Sequence, residues 1–393
     1  MRCNSPATPR IALLVETSLA PGREILRGVA RYMHEHRPWL VYHTPHALRQ
    51  SVPRWLRRWR GDGIIARVQT QQMAEEISTL GIPIVDVLGA VPETPFPLVH
   101  VDNAAIAHMA AQHFRERGFH HFAFVGIENE NWSQQRYISF RAALPDICND
   151  LPLYEFKRRM LHGACSNQVE IELANWTKAL KRPSAVFVCS DQAGPLFLKA
   201  CKRAQVRVPE DIAAIGVDND EPLCEVCSAP LSSIDPGHAG VGYEAARLLD
   251  SIITGINTQP QDSLLVAPRK VVSRRSSDIL AIDDLLVVAA LRLIQDHAHE
   301  GLRVQTIADR IGLSRSGLQR RFRAAVKCSI HQEIQQTKLR RARDMLIGTK
   351  LSLATIAERS GFRHQEYMSA VFKAHFQQTP GQVRASYASP RMR

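Results

Sequence analysis

Up to about Ser273 the chain alternates short, uninterrupted apolar runs with stretches in which apolar residues recur every three or four positions. The first pattern is that of strands buried on both faces, the second that of amphipathic helices. The runs predict strands at 11–15, 63–66, 84–87, 98–101, 121–125, 185–189 and 212–217, and the periodic stretches predict helices at 22–36, 103–117, 167–180 and 192–204. Strands and helices in alternation imply a parallel α/β sheet covered by helices. The set divides near 102–120, which implies two lobes of similar construction. At 274–278 Arg-Arg-Ser-Ser-Asp reads as a polar connector. From Asp284 the strands stop, and the sequence becomes helical in period, rich in Arg and Gln and poor in Gly and Pro until Pro380. The expected organisation is a two-lobed α/β domain over 1–275, a linker over 276–284 and an all-α domain over 285–393.

A length of 393 residues exceeds what one core normally holds, which agrees with this division. At 45% hydrophobic and 22% charged residues the composition is that of an ordinary globular protein. The longest apolar run, 285–291, falls far short of the roughly 20 residues of a membrane span. With no signal-like start either, a cytoplasmic protein with no membrane partner is expected. The eight cysteines, at 3, 148, 165, 189, 201, 224, 227 and 328, are scattered and read as reduced thiols. Cys224 and Cys227 form a C-x-x-C, but no second Cys or His pair completes a metal tetrahedron, so no metal is expected. Charge becomes informative once located. Residues 281–393 hold 19 Lys or Arg against 9 Asp or Glu, whereas residues 1–280 hold 31 against 29. Basicity concentrated in the last quarter points to a polyanion, most simply nucleic acid.

That quarter carries a motif twice. In 307–322 two helical stretches break at Gly312; Ile307, Ala308 and Ile311 give the first its apolar stripe, and Leu318 and Phe322 the second. Ser314 is placed to cap the second stretch. The outward residues would be Arg315, Ser316, Gln319, Arg320 and Arg323, and Arg and Gln are the side chains that pair with guanine and adenine edges in the major groove. The pattern recurs in 356–374, where Ala308, Arg310 and Gly312 map onto Ala357, Arg359 and Gly361, and Phe322-Arg-Ala maps onto Phe372-Lys-Ala. Two helix-turn-helix copies in a basic segment imply double-stranded DNA as a partner.

The segment 285–387 resembles the DNA-binding domain of the AraC/XylS family, most clearly in Ile356-Ala-Glu-Arg-Ser-Gly-Phe, Phe372, Phe376, Thr379-Pro-Gly and Arg384. The resemblance implies two helix-turn-helix units joined by a long helix over 330–346. Its base-facing residues would be Ser316, Gln319 and Arg320 in the first unit and Gln365, Glu366 and Ser369 in the second. Ala370 stands where the family often has a reader, so the second unit is expected to act more on phosphates.

In the first domain Asp218 and Asn219 follow the strand 212–217, Ser190 and Asp191 follow 185–189, and Asp102 follows 98–101. Ligands of open α/β sheets bind at strand carboxyl ends, and carboxylates there suit a ligand rich in hydroxyls. Arg136 and Trp132, one helical turn apart, would add a donor fork and a flat apolar face. The competing reading of each Asp or Asn is a loop or helix-cap residue. The region 10–273, above all 188–192 and 208–219, resembles the periplasmic-binding-protein-like effector domain of the LacI/GalR family. Effector domain first and AraC-type domain last is the order of its xylose-responsive relatives. This resemblance implies Asp102, Arg136, Asp191 and Asp218 as sugar ligands, with Asn219, Trp132 and Arg23 beside them. It also implies a pentose effector, D-xylose in particular, a homodimer acting as an activator, and RNA polymerase as a partner; the alternative is a regulator of the same architecture that responds to another sugar, a sugar phosphate or a purine.

An enzyme is the rival class. Gly240-Val-Gly-Tyr-Glu-Ala245 matches G-x-G-x-x-A but lies late in the domain, at the start of an amphipathic helix, instead of after the first strand of a βαβ unit. No hydrolase or zinc-protease motif is present, and many of the 16 histidines fall on helices expected at the surface. No cofactor and no catalytic residue is expected.

Overall fold

The computed structural model describes residues 8–43, 52–91, 94–144, 151–157, 167–256, 263–279, 282, 284–349 and 351–388. The chain forms two compact units, Met1–Ile279 and Leu280–Arg393. Cys3, Cys148 and Cys165 lie outside the described residues.

In the first lobe of the first unit, β1 (Arg10–Leu14), β2 (Leu40–His43), β3 (Gly63–Ala66) and β4 (Ile84–Asp86) form a parallel sheet in the order β2-β1-β3-β4. Beside it β5 (Val99–Val101) pairs with β11 (Leu264–Val266). The second lobe holds β6 (His121–Ile127), β7 (Leu153–Phe156), β8 (Ser184–Val188), β9 (Ile212–Val217), β10 (Ser232–Asp235) and β12 (Lys270–Val272), in the order β12-β10-β9-β8-β6-β7. Only β12 is antiparallel.

All seven sequence-predicted strands are present within a residue or two. The five others, β2, β7, β10, β11 and β12, are only three or four residues long. The edge strands β2 and β7 are partly exposed, and β10 is Ser-Ser-Ile-Asp, with its serines buried and hydrogen-bonded.

Helices α1 (Ala20–Glu35), α2 (Gln71–Ser78), α3 (Asn103–Arg115), α4 (Asn131–Ala142), α5 (Asn167–Ala179), α6 (Gly194–Arg203), α7 (Glu221–Glu225) and α8 (His238–Ile253) complete the unit. The chain crosses between lobes three times, from β5 into α3, from β10 into α8, and from β11 into β12. The last two crossings are not visible in the sequence pattern.

The G-x-G-x-x-A stretch acts in the second crossing. A Cβ on Gly242 would lie 2.0 Å from the Ile25 carbonyl oxygen, and one on Gly28 would lie 1.9 Å from that of Ala239. These glycines let α1 and α8 pack backbone to backbone.

The stretch 274–278 is not a solvated connector. Arg275–Ser277 form a 3-10 turn in which Ser276 and Ser277 are fully buried. Ser276 Oγ donates to the Ala214 carbonyl (2.7 Å) and Ser277 Oγ to Ser232 Oγ (2.8 Å), while Arg117 Nε donates to the Ser277 carbonyl (3.0 Å). These hydroxyls are polar because they satisfy the backbone and side chains of β9 and β10, not because they face water.

The second unit is all helical: α9 (Leu285–His297), α10 (Val304–Ile311), α11 (Arg315–Val326), α12 (Ile330–Gly348), α13 (Leu353–Arg359), α14 (Gln365–Phe376) and α15 (Pro380–Ala388). It has two cores. One is built on Val287, Ile294, Ile307, Leu318 and Phe322, the other on Ile356, Phe362, Met368 and Phe372. Helix α12 joins them, giving Ile330 and Ile334 to the first and Leu339, Ala342 and Leu346 to the second. Side-chain caps from Ser314, Ser329 and Ser352 start α11, α12 and α13.

Candidate functional site

Polar residues from both lobes meet in a buried network of the first unit. Glu16, just after β1, is paired with Arg67, just after β3. From α4, Arg136 Nε donates to Asn103 Oδ1 (2.9 Å), its Nη1 donates to the Cys189 carbonyl, and its guanidinium lies over the Trp132 ring at 5.1 Å. Asp218, after β9, accepts from His238 Nε2 at 3.1 Å. His100 in β5 lies in the positive field of His238, Arg136 and Arg67; burial first, then those charges, hold its imidazole well below the usual range. Burial also lowers the Arg136 value, and Asp218 opposes this.

Several atoms of this network are buried without a hydrogen-bond partner among the described residues. They are Glu16 Oε2, both ring nitrogens of His100, Nδ1 of His238 and Ser190 Oγ, which has only the weakly bonding thiol of Cys189 beside it. A folded protein rarely buries so many polar atoms without protein partners together unless a ligand or ordered water completes them.

The sequence-predicted ligand residues divide. Arg136, Trp132 and Asp218 stand in the network. Asp191 is next to it but is withdrawn from ligand contact. It is 1% exposed, and its oxygens accept from Ser233 Oγ (2.8 and 2.9 Å), the Asp220 amide (2.9 Å) and the Cys224 thiol (3.4 Å). Burial first, then the charge of Asp218, raise its carboxyl pKa. Asp191 therefore braces the β8, β9 and β10 ends.

Asp102 caps α3, accepting from the Ala105 amide at 2.8 Å, and Asn219 Oδ1 accepts from Arg274 at 3.0 Å. Arg23 is largely exposed and binds the Thr17 and Ser18 carbonyls and Asp220 (3.3 Å), joining the lobes at the rim. For Asp102 and Asn219 the competing cap and loop reading describes the observed contacts. Glu16, Arg67, His100 and His238 were missed. A histidine between two valines of a predicted strand, Val99-His100-Val101, was the available signal. The two C-x-x-C thiols are buried, their pKa values raised mainly by burial, that of Cys227 to about 11.

In the second unit Gly312 and Gly361 end the first helix of each helix-turn-helix in the left-handed conformation, at φ 75° and 83°. Leu318, Phe322 and Val326 anchor α11 in its core. Arg315, Ser316, Gln319, Arg320 and Arg323 are all exposed, within an arc of about 140° at the α-helical 100° per residue. Arg321 lies off that arc and pairs with Asp284 at 3.2 Å.

On α14, Met368 and Phe372 are buried and Gln365 and Glu366 are exposed, but Ser369 is only half-exposed. Glu366 is fully solvated, and its own backbone amide, then Gln365, hold its carboxyl below the usual range. It stays an anion that accepts a hydrogen bond from a base but repels phosphate. Lys373, exposed at the place of Arg323, was not singled out from the sequence although the Phe-Arg-Ala and Phe-Lys-Ala repeat marks it.

Three family models match: a XylR N-terminal domain over residues 10–104, a periplasmic binding protein-like domain over 111–277 and a helix-turn-helix domain over 307–386. The xylose operon regulatory protein of Escherichia coli (strain K12) is 30% identical over 385 residues, covering 95% of this chain and 96% of that protein. The protein of the same description from Haemophilus influenzae is 29% identical, covering 95% and 98%. A solved structure described as xylose-binding transcription activator xylR is similar with a TM-score of 0.79 and 28% identity, over 97% of this chain and 99% of that one. Alike in sequence over nearly its whole length, the chain belongs to the family of xylose operon regulatory proteins, DNA-binding transcription regulators that carry a periplasmic-binding-protein-like effector domain.

Proposed function

We propose that the chain is a cytoplasmic, D-xylose-responsive transcription activator. The observation that carries the effector reading is the set of unpartnered buried polar atoms from Glu16, His100, Ser190 and His238, between the charged Arg136 and Asp218. A pentose brings hydroxyls that both donate and accept, and Trp132 offers its ring a flat apolar face. Its relatives carry xylose in their descriptions, which makes D-xylose the first candidate among pentoses.

In this reading the sugar bridges the two lobes and favours their closure, which biases how two copies of the chain engage paired DNA sites and recruit RNA polymerase. Arg315, Ser316, Gln319, Arg320 and Arg323 of the first helix-turn-helix face the bases and phosphates, joined by Gln365, Glu366 and, in part, Ser369 of the second helix-turn-helix. Sugar and DNA are then linked, each tightening the other by about 1 to 3 kcal/mol. Calorimetric titration of the full chain with pentoses, purines and sugar phosphates tests the reading. Saturable binding of D-xylose is expected, and binding of a purine or a sugar phosphate alone would overturn the effector assignment.

A further inference from the structure

The loop that follows β9 is held from two sides. Asp218 meets His238 at the start of α8 (3.1 Å), and Asp220 accepts from the Ala20 amide (3.2 Å) and from Arg23 (3.3 Å), both in α1. Helices α1 and α8 belong to the first lobe, so the outer residues of Asp218-Asn219-Asp220 tie this loop of the second lobe to the first. Asn219, between them, is bonded within the second lobe instead, its Oδ1 accepting from Arg274 Nη2 at 3.0 Å. Arg274 opens the last segment of the first unit, which ends at Ile279. Its side chain is 10% exposed, and each of its nitrogens donates: Nε to Glu225 (3.0 Å), Nη1 to the Leu231 carbonyl (3.1 Å) and Nη2 to Asn219. Its amide and carbonyl both bond Ser232 Oγ (2.8 and 2.9 Å). With Ser276 and Ser277 buried against β9 and β10, the chain leaves for the DNA-binding unit from a fixed place on the second lobe.

The backbone of this loop is unusual. Asp218 and Asn219 are consecutive non-glycine residues at positive φ, 112° and 48°. Such a conformation persists only where its surroundings hold it, and here they do. The Asn219 amide donates to Ser233 Oγ (3.0 Å), the Asp220 amide donates to Asp191 (2.9 Å), and Arg274 holds the Asn219 side chain. A loop pinned at successive residues does not drift continuously; it keeps its bonds or exchanges them as a set. The grip of Asp218 and Asp220 on the first lobe and the grip of Asn219 on Arg274 therefore respond together.

We propose that the Asn219–Arg274 bond carries the state of the effector site to the DNA-binding unit. A ligand that sets how the first lobe meets Asp218 and Asp220 sets whether this bond is made, and Arg274 in turn fixes the start of the segment from which the DNA-binding unit hangs. Arg274 is a positioning residue, acting through Asn219 and not on the ligand. The inference rests on the reading of the site as a sugar site and adds the contact by which occupancy leaves it. By linkage, the bond then contributes to the sugar-driven gain in DNA affinity and not to either affinity alone.

The test is the affinity of the full chain for a DNA fragment it selects from random sequence, with and without saturating D-xylose, in wild type, Asn219→Gly, Asn219→Asp and Arg274→Gln. D-xylose titration and the ligand-free Tm are measured on each. Gly keeps the positive φ and removes the acceptor, whereas Asp tolerates the same backbone and keeps an acceptor for Arg274. Asn219→Gly and Arg274→Gln should bind D-xylose, and DNA without sugar, within about twofold of wild type, while the sugar-driven tightening falls from roughly five- to 150-fold to about twofold or less. Asn219→Asp should keep most of the tightening. A purely structural role would lower the Tm and leave that ratio alone. If Arg274→Gln fails to fold, Asn219→Gly against Asn219→Asp still decides. Unchanged tightening in Asn219→Gly would overturn the proposal and leave the sugar reading standing. Loss of D-xylose binding in Asn219→Gly would overturn it too, by making Asn219 part of the sugar site. A wild type that binds no D-xylose would overturn the sugar reading, and this inference with it.

Discussion

The two functional surfaces of this chain are built in opposite ways. In the second unit apolar side chains sink into two small cores, and what remains outside α11 and α14 is the polar face offered to DNA. In the first unit the polar groups are the buried ones, drawn from both lobes and left with hydrogen bonds unmade. The contrast matters energetically. An exposed Arg or Gln adds little until DNA arrives, whereas a buried unpaired nitrogen or oxygen destabilises the empty protein and is relieved by a ligand. The DNA face is thus set by folding, and the effector site depends on its occupant.

The contrast is broken first at the turns of the second unit, where the largest effect is expected. A Cβ on Gly361 would lie 2.5 Å from the His299 Cα and 2.7 Å from its carbonyl oxygen, whereas Gly312 has open space around it. Gly361→Ala should cost about 3 kcal/mol or more from collision and left-handed backbone together, Gly312→Ala about 1 kcal/mol from backbone alone. Thermal and urea unfolding of the two variants read the difference, and equal losses would mean that the second turn is not packed as described.

Next is the effector site. Asp218→Asn, chosen because Asn tolerates the positive φ of 112°, removes the charge facing His238 and Arg136. Sugar affinity should fall by about 2 kcal/mol while DNA affinity without sugar stays unchanged. A variant that still binds normally would place the site elsewhere.

On the DNA face, Arg320→Ala should lose about 1 to 3 kcal/mol on a specific site and relax discrimination against scrambled DNA. Lys373→Ala should weaken all sequences alike and reduce the salt slope by about one. The same result from both would erase the distinction between reader and phosphate anchor.

Last is a pH dependence. His113 is buried beside the Ser277 hydroxyl (2.8 Å), and burial first, then Arg117, lower its pKa to about 3 from 6.5. The unfolded chain takes the proton first, so the stability associated with His113 is whole above pH 6.5 and is lost as pH falls from there towards 3. The loss amounts to at most about 1.4 kcal/mol per pH unit. Asp86, raised to about 6 mainly by burial, acts in the opposite sense. The difference between wild type and His113→Asn in unfolding from pH 7 to 5 isolates the histidine, and parallel curves would contradict its burial.

What the sequence showed follows the same contrast. Fully buried strands such as Gly63–Ala66 and Ile212–Val217 are continuous apolar runs and were legible. So was the exposed face of α11, because a 3.6-residue period separates Leu318 and Phe322 from Gln319 and Arg320. That Arg321 is tied to Asp284 was not legible, since the pairing is tertiary. In the candidate effector site, position after a strand singled out Asp218 and Asp191 alike, and could not tell a carboxylate facing the buried network from one bonded by its neighbours. Asp191 is bonded by Ser233 from β10, the Asp220 amide at the start of α7 and Cys224 within it, whereas Asp218 meets His238. The polar residues at 276 and 277 misled for the same reason, because buried serines that satisfy a strand look like a linker in sequence.

The central claim is that occupancy of the buried site governs engagement of the exposed one. Its most direct test is the affinity of the full chain for a DNA fragment selected by it from random sequence, measured at fixed salt with and without saturating D-xylose, against scrambled DNA. D-xylose should tighten the selected fragment by about 1 to 3 kcal/mol, roughly five- to 150-fold, and leave scrambled DNA nearly unchanged. Equal affinities with and without the sugar, in a protein shown to bind it, would contradict the account.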